Sequence, residues 1–137
     1  MPLIPHQENG EDKMKVIIAG SRGFDDYNKL KYEVDKIIGN KKDVTILSGR
    51  ARGADRLGER YAKERGIPVI YFPANWDRYG RSAGIIRNTE MAKHADVLIA
   101  FWDGESRGTK HMIQTAQKYG LKVHLFLVSC DTTRGGK

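Results

Sequence analysis

Apolar residues in this chain gather in five short runs, separated by stretches in which they recur every three or four positions. The runs are Val16-Ile17-Ile18-Ala19, Val44-Thr45-Ile46-Leu47, Val69-Ile70-Tyr71-Phe72, Val97-Leu98-Ile99-Ala100-Phe101 and Val123-His124-Leu125-Phe126-Leu127. Continuous β-rich runs of this length predict strands covered on both faces. Between them the period changes. Leu30, Val34, Ile37 and Ile38 share one helical face over residues 25–39, and Ala54, Leu57, Gly58, Tyr61 and Ala62 stripe a second helix that stops at Gly66. A long loop through Trp76 and Tyr79 leads to a third helix from about Ser82 to His94. A fourth, from about Thr109 to Tyr119, turns Met112, Ile113 and Ala116 inward.

Strands alternating with helices predict an α/β domain of Rossmann-like, doubly wound architecture: a five-stranded parallel sheet with helices on both faces. Right-handed crossovers favour the strand order 3-2-1-4-5. That order reverses between the first and fourth strands, and ligands of such sheets occupy the crevice at the reversal. The loops after Ala19 and Phe101 are therefore expected to line a site, with the loop after Leu47 beside them.

Those three loops share an unusual composition. They read Gly20-Ser21-Arg22-Gly23, Ser48-Gly49-Arg50-Ala51-Arg52-Gly53-Ala54-Asp55 and Gly104-Glu105-Ser106-Arg107-Gly108-Thr109. Glycine lets backbone amides approach an anion, a helix N-terminus adds unpaired N–H donors, and arginine offers a fork that matches phosphate oxygens. Tight turns alone would account for the glycines and serines but not for arginine in all three. The set expected to face a phosphate is Gly20, Ser21, Arg22, Ser48, Gly49, Arg52, Gly53, Arg87, Asn88, Gly108 and Thr109. Asp55 reads either as a helix cap or as an acceptor for a ribose hydroxyl. The segment Trp76–Asn88, with Arg78, Arg81 and Arg87, is placed to fold over the same edge as a flap. Trp76 and Trp102 offer stacking surfaces for a base, or simple packing. No loop carries the full dinucleotide fingerprint or the phosphate-loop lysine motif, which weakens dehydrogenase and ATPase readings.

Composition narrows the class further. At 137 residues, 39% hydrophobic and 30% charged, the chain fits one globular domain. That domain is expected over residues 14–128, with a disordered lead-in over 1–13 and a flexible tail over 129–137. Of the 24 basic and 17 acidic residues, three basic and four acidic lie in those terminal segments, which leaves the body at +8. The excess positive charge belongs to the fold, and it suits an anionic ligand as well as simple solubility. A lone cysteine, Cys130, excludes an internal disulfide framework, and the four histidines show no metal-ligand spacing, so no metal is expected. No apolar run approaches membrane-spanning length and no signal-peptide pattern opens the chain, so a cytoplasmic protein is expected.

GSRGF after the first strand, SGRARGAD after the second, FPANWDRYGRSAGIIRN after the third and ADVLIAFWDGESRGT around the fourth together resemble the SLOG superfamily. The similarity is specifically to its small YspA/YpsA-related branch, and it covers nearly all of residues 15–127. It implies a Rossmann-like domain that binds a nucleotide or nucleotide derivative, a prophage or phage-associated setting, and a homodimer through the later helices.

Two relatives within the superfamily imply alternatives. Cytokinin-activating phosphoribohydrolases cleave the base from a nucleoside monophosphate, and their glycine-rich motif is similar to Asp103–Thr109. Gly108 and Thr109 are kept, whereas the position of their catalytic glutamate holds Met112. In the DNA-processing protein A family, loops similar to Gly20–Arg22, Ser48–Asp55 and Arg87–Asn88 grip single-stranded DNA, which the basic body also suits. The expected activity is thus nucleotide binding or sensing, with base–sugar cleavage and single-strand binding as alternatives.

Overall fold

The central strand β1 (Lys13–Gly20) alternates strictly between two layers. Val16 and Ile18 face one apolar cluster, Ile17 and Ala19 the other, and all four are buried. In the computed structural model, which describes residues 13–129, the remaining strands are β2 (Asp43–Ser48), β3 (Val69–Tyr71), β4 (Val97–Trp102) and β5 (Lys122–Leu127). All pair in parallel in the order β3-β2-β1-β4-β5, as the sequence pattern predicts. The alternation of β1 recurs in β4, where Val97, Ile99 and Phe101 face one layer and Leu98 and Ala100 the other. A strand buried on both faces must be apolar throughout, hence the unbroken runs in the sequence.

Four helices cover the sheet: α1 (Tyr27–Ile38), α2 (Ala54–Arg65), α3 (Ala83–His94) and α4 (Arg107–Lys118). Leu30, Val34 and Ile38 of α1 and Tyr61 and Ala62 of α2 fill the first cluster, where Phe24, Phe101 and Phe126 stack at 5.1 and 5.3 Å. Met91 and Ala92 of α3 and Met112, Ile113 and Ala116 of α4 fill the second.

The structure departs from the pattern at element ends. The expected loop through Trp76 and Tyr79 coils into a helical turn, Trp76–Tyr79, because the Asn75 side chain accepts from the Arg78 amide at 3.0 Å. A 3-10 turn, Gly80–Ser82, joins it to α3. Helix α4 starts two residues earlier than expected, so Arg107 and Gly108 belong to its first turn. The Asp103 carboxylate causes this by accepting from the amides of Glu105 and Ser106, both at 2.8 Å, which bends the chain into the helix. β3 is an exposed edge, with Ile70 and Tyr71 largely in solvent. β1 begins at Lys13, opposite Asp43, one residue before the expected start of the domain. The lead-in and tail expected at the termini otherwise lie outside the described residues, as does Cys130.

Candidate functional site

The C-terminal ends of β1, β2 and β4 bring the three glycine-rich loops together at the reversal of strand order. A cleft of about 440 Å³ opens there between the end of β1, the face of α3 and the first turn of α4. Gly20, Arg22, Asp55, Arg87, Asn88, Gly108 and Thr109 line it, and Trp76 and Arg81 from the flap stand over it. A second groove of about 330 Å³ adjoins it on the β2 side, lined by Gly49, Arg50, Arg52, Pro73 and Ala74. Arg22, Ala51, Trp76 and Arg87 belong to the walls of both.

The positive charge here is uncompensated. Arg50 pairs with Glu59 at 3.1 Å, Arg60 with Glu64 at 3.2 Å, and Arg65 with Asp35. Among the described residues, none of Arg22, Arg52, Arg81, Arg87 and Arg107 has a carboxylate within 4.0 Å. Among the described residues Arg56 and Arg78 likewise lack a carboxylate partner, so what sets the cleft apart is that four such arginines, Arg22, Arg81, Arg87 and Arg107, line one cavity. Arg87 is half-buried and donates to the Gly49 carbonyl oxygen and, at 2.9 Å, to Asn88 Oδ1. Burial lowers its pKa from the usual arginine value, and Arg22 adds to this while Asp55 opposes it.

The first turn of α4 supplies the other anion-attracting feature. Ser106 is its N-cap, but the serine hydroxyl lies 3.2 Å from Thr109 Oγ1 and caps no backbone amide. The opening N–H groups of the helix are therefore left without a side-chain cap, and Ser106, Arg107, Gly108 and Thr109 line the cleft, where the helix dipole favours negative charge. Asn88 holds this corner to α3: its Nδ2 donates to the Gly108 carbonyl oxygen at 3.3 Å and meets His111 Nδ1 at 3.2 Å. His111 also lines the cleft, and burial holds its pKa below the usual histidine value.

Asp55 is the buried carboxyl of the site. Its Oδ2 accepts from the Ala51 amide at 3.2 Å, so it ties down the loop that precedes its own helix. Desolvation pushes its pKa up to about 6, against the Ala51 hydrogen bond and the charge of Arg87. Asp55 is thus not the helix cap that the sequence suggested, since the N-cap of α2 is Gly53 and no side chain caps it; the carboxyl fastens the preceding loop and lines the cleft.

Four residues expected at the ligand lie behind the cleft wall. Ser21 is buried; its amide donates to the Phe101 carbonyl at 2.9 Å and its hydroxyl accepts from the Asp103 amide at 3.0 Å, latching the first loop to the third. Ser48 is buried and donates to Glu59 Oε2 at 2.6 Å while accepting from the Arg50 amide at 3.1 Å. Gly53 sits at φ +82°, and a Cβ there would strike the backbone of Ser21 and Arg22, so it is glycine because the first two loops touch. Trp102 packs against the second cluster and donates its indole N–H to the Ser106 carbonyl at 3.0 Å, supporting the α4 entry from beneath. The hydroxyls, read as ligand contacts, instead fasten their loops to neighbouring elements, Ser21 to the third loop and Ser48 to α2, because short side chains at strand ends are consumed by nearby polar groups. Conversely, Ala51, Ser106 and His111 line the cleft without having been expected. His111 was legible in principle, since it follows Gly108 by three positions on one helical face.

Comparisons with known proteins agree with this architecture. The Gene 61 protein of Mycobacterium phage D29 is 35% identical over 116 residues, spanning 80% of this chain and 93% of that protein. The X-ray structure of DNA processing protein A (DprA) from Streptococcus pneumoniae superposes with a TM-score of 0.67 at 20% identity, covering 85% of this chain. This chain spans about half of that one, 51%, and the likeness is one of fold. Among the described residues no helix is long and apolar enough to cross a membrane, and no cluster of potential metal ligands occurs. The model of the YspA, cpYpsA-related SLOG family matches residues 14–79, and with the phage relative it establishes that the chain belongs to this family.

Proposed function

We propose that the cleft at the β1–β4 reversal binds a nucleotide or nucleotide-derived ligand by its phosphate. The observation that carries this reading is the set of arginines without carboxylate partners, Arg22, Arg81, Arg87 and Arg107, around the open N-terminus of α4. A charged guanidinium left unpaired beside a helix N-terminus is an unmet demand for an anion. The half-exposed side chains of Trp76 and Ile85 offer a base a surface to lie on. The phosphate contacts are assigned to Arg22, Arg87, Gly108 and Thr109, and the site serves binding or sensing.

Single-stranded DNA is the second reading. It is supported by the likeness of fold to a protein named for DNA processing and by the basic groove at Arg52 that adjoins the cleft. Calorimetric titration of the chain with nucleoside mono- and diphosphates tests the first reading. Saturable binding is expected, weakened about ten-fold or more by Arg22→Ala, the worth of one charge-assisted hydrogen bond. Failure of every nucleotide to bind would overturn it.

A further inference from the structure

The cleft and the groove beside it are two rooms with one dividing wall, and the wall carries the positive charge. Arg22 and Arg87 stand in it together with Trp76. The charge of Arg22 works against that of Arg87 and the buried Asp55 works the other way, but among the described residues no carboxylate lies within 4.0 Å of either guanidinium. The groove has its own free cation. Arg50 is taken by Glu59 and lies over the Tyr71 ring at 4.8 Å, whereas Arg52 is exposed and unpaired. Each room also offers apolar surface: Ile85 on one side, Pro73 and Ala74 on the other, with Trp76 reaching both. A mononucleotide would occupy one room and leave the other, with Arg52, unused.

We propose that the ligand is a free dinucleotide, two nucleosides joined by a phosphate bridge, with the bridge between Arg22 and Arg87 and one nucleoside in each room. This rests on the nucleotide reading of the cleft and adds the second half of the ligand. A bridging phosphate separates two like charges that otherwise repel, and the flat faces of two bases suit the apolar patches on either side. A free molecule fits better than a nucleic-acid strand because the unpaired arginines surround one junction. A further cavity with cationic walls, at Lys41, Lys42 and Arg65, opens at the opposite edge of the sheet and does not extend the track.

The test is calorimetry with AMP, GMP, diadenosine diphosphate, diguanosine diphosphate and short oligodeoxynucleotides of the same bases, on the parent chain and on Arg52→Ala. Arg52 is exposed and outside the core, so its removal leaves the fold intact. One dinucleotide is expected to bind at least about ten-fold more tightly than the matching mononucleotide. Arg52→Ala should erase that gain while leaving mononucleotide affinity unchanged. If mononucleotides bind and dinucleotides bind no better, or if Arg52→Ala affects both alike, the two-room inference is overturned and the nucleotide reading survives. If no nucleotide binds, both fall. An oligonucleotide that binds tightly and resists displacement by either dinucleotide would identify a strand as the occupant and overturn the inference.

Discussion

The side chain of Arg87 lies flat against Gly49, so that a Cβ on the glycine would fall 2.6 Å from Nη1 and 3.0 Å from Cδ. The same guanidinium donates to the Gly49 carbonyl oxygen. The absent side chain at position 49 is thus the seat of the arginine.

Gly49→Ala should unseat Arg87 without unfolding the domain, because the obstructing atoms belong to a flexible side chain and not to backbone. Nucleotide affinity is expected to fall about ten-fold or more, the scale of a charged hydrogen bond, while the melting temperature moves little. Calorimetry paired with a thermal melt measures both. Unchanged affinity would show that Arg87 does not need this seat.

Asp55 makes stability depend on pH. Its carboxyl is pushed up to about 6 by burial, so the folded chain holds the proton more tightly than the unfolded chain does. The stabilisation is complete below about pH 4 and is lost as pH rises through about 6, with a ceiling of about 3 kcal/mol. Asp55→Asn keeps an oxygen acceptor for the Ala51 amide and removes the titration. Urea melts at pH 4.5, 6 and 7.5 should show the variant gaining on the parent as pH rises. A constant difference across that range would remove the buried carboxyl as the cause.

Base–sugar cleavage is expected to be absent or slow. Met112 is buried in the cleft wall at the place where the resemblance to phosphoribohydrolases implies an acid, and a thioether cannot protonate a leaving base. Incubation with nucleoside monophosphates followed by chromatography should recover them intact. If free base is released, abolition of release by Asp55→Asn would identify the buried carboxyl as the acid.

Salt separates a small ligand from a strand. Single-stranded nucleic acid loses affinity with a slope of about 0.7 per phosphate contact on logarithmic axes. A ligand with one or two phosphates at the cleft should respond gently, and any oligonucleotide binding should be steep in salt and displaced by a nucleotide. Titrations at two salt concentrations, with and without competitor, read both quantities.

The hydrophobic pattern contained the fold. Runs such as Val16–Ala19 and Val97–Phe101 are apolar because both faces of an inner strand are covered, and that requirement is local enough to read residue by residue. The strand order followed from the handedness of crossovers, and it located the site at the β1–β4 reversal before any contact was known. Arg22 was legible there because arginine exceeds what a turn requires, and Gly108 and Thr109 because they open a helix at the same edge.

Which polar groups face the cleft was decided by the tertiary structure alone. Ser21, Ser48 and Gly53 have the composition of a phosphate loop, yet each is spent inside the protein: Ser21 on Asp103 of the third loop, Ser48 on Glu59 of α2 and the Arg50 amide of its own loop, Gly53 on the close approach of Ser21 and Arg22. Ser48 finds one partner two residues on, at the Arg50 amide, but the partners that draw these hydroxyls away from the cleft lie 11 and 82 residues away along the chain. The same holds for charge. Arg50 and Arg52 are two residues apart and identical in kind, but Glu59 lies within reach of only the first, so one is a structural ion pair and the other remains free for an anion. Burial and pairing depend on distances between loops, which no spacing along the chain records.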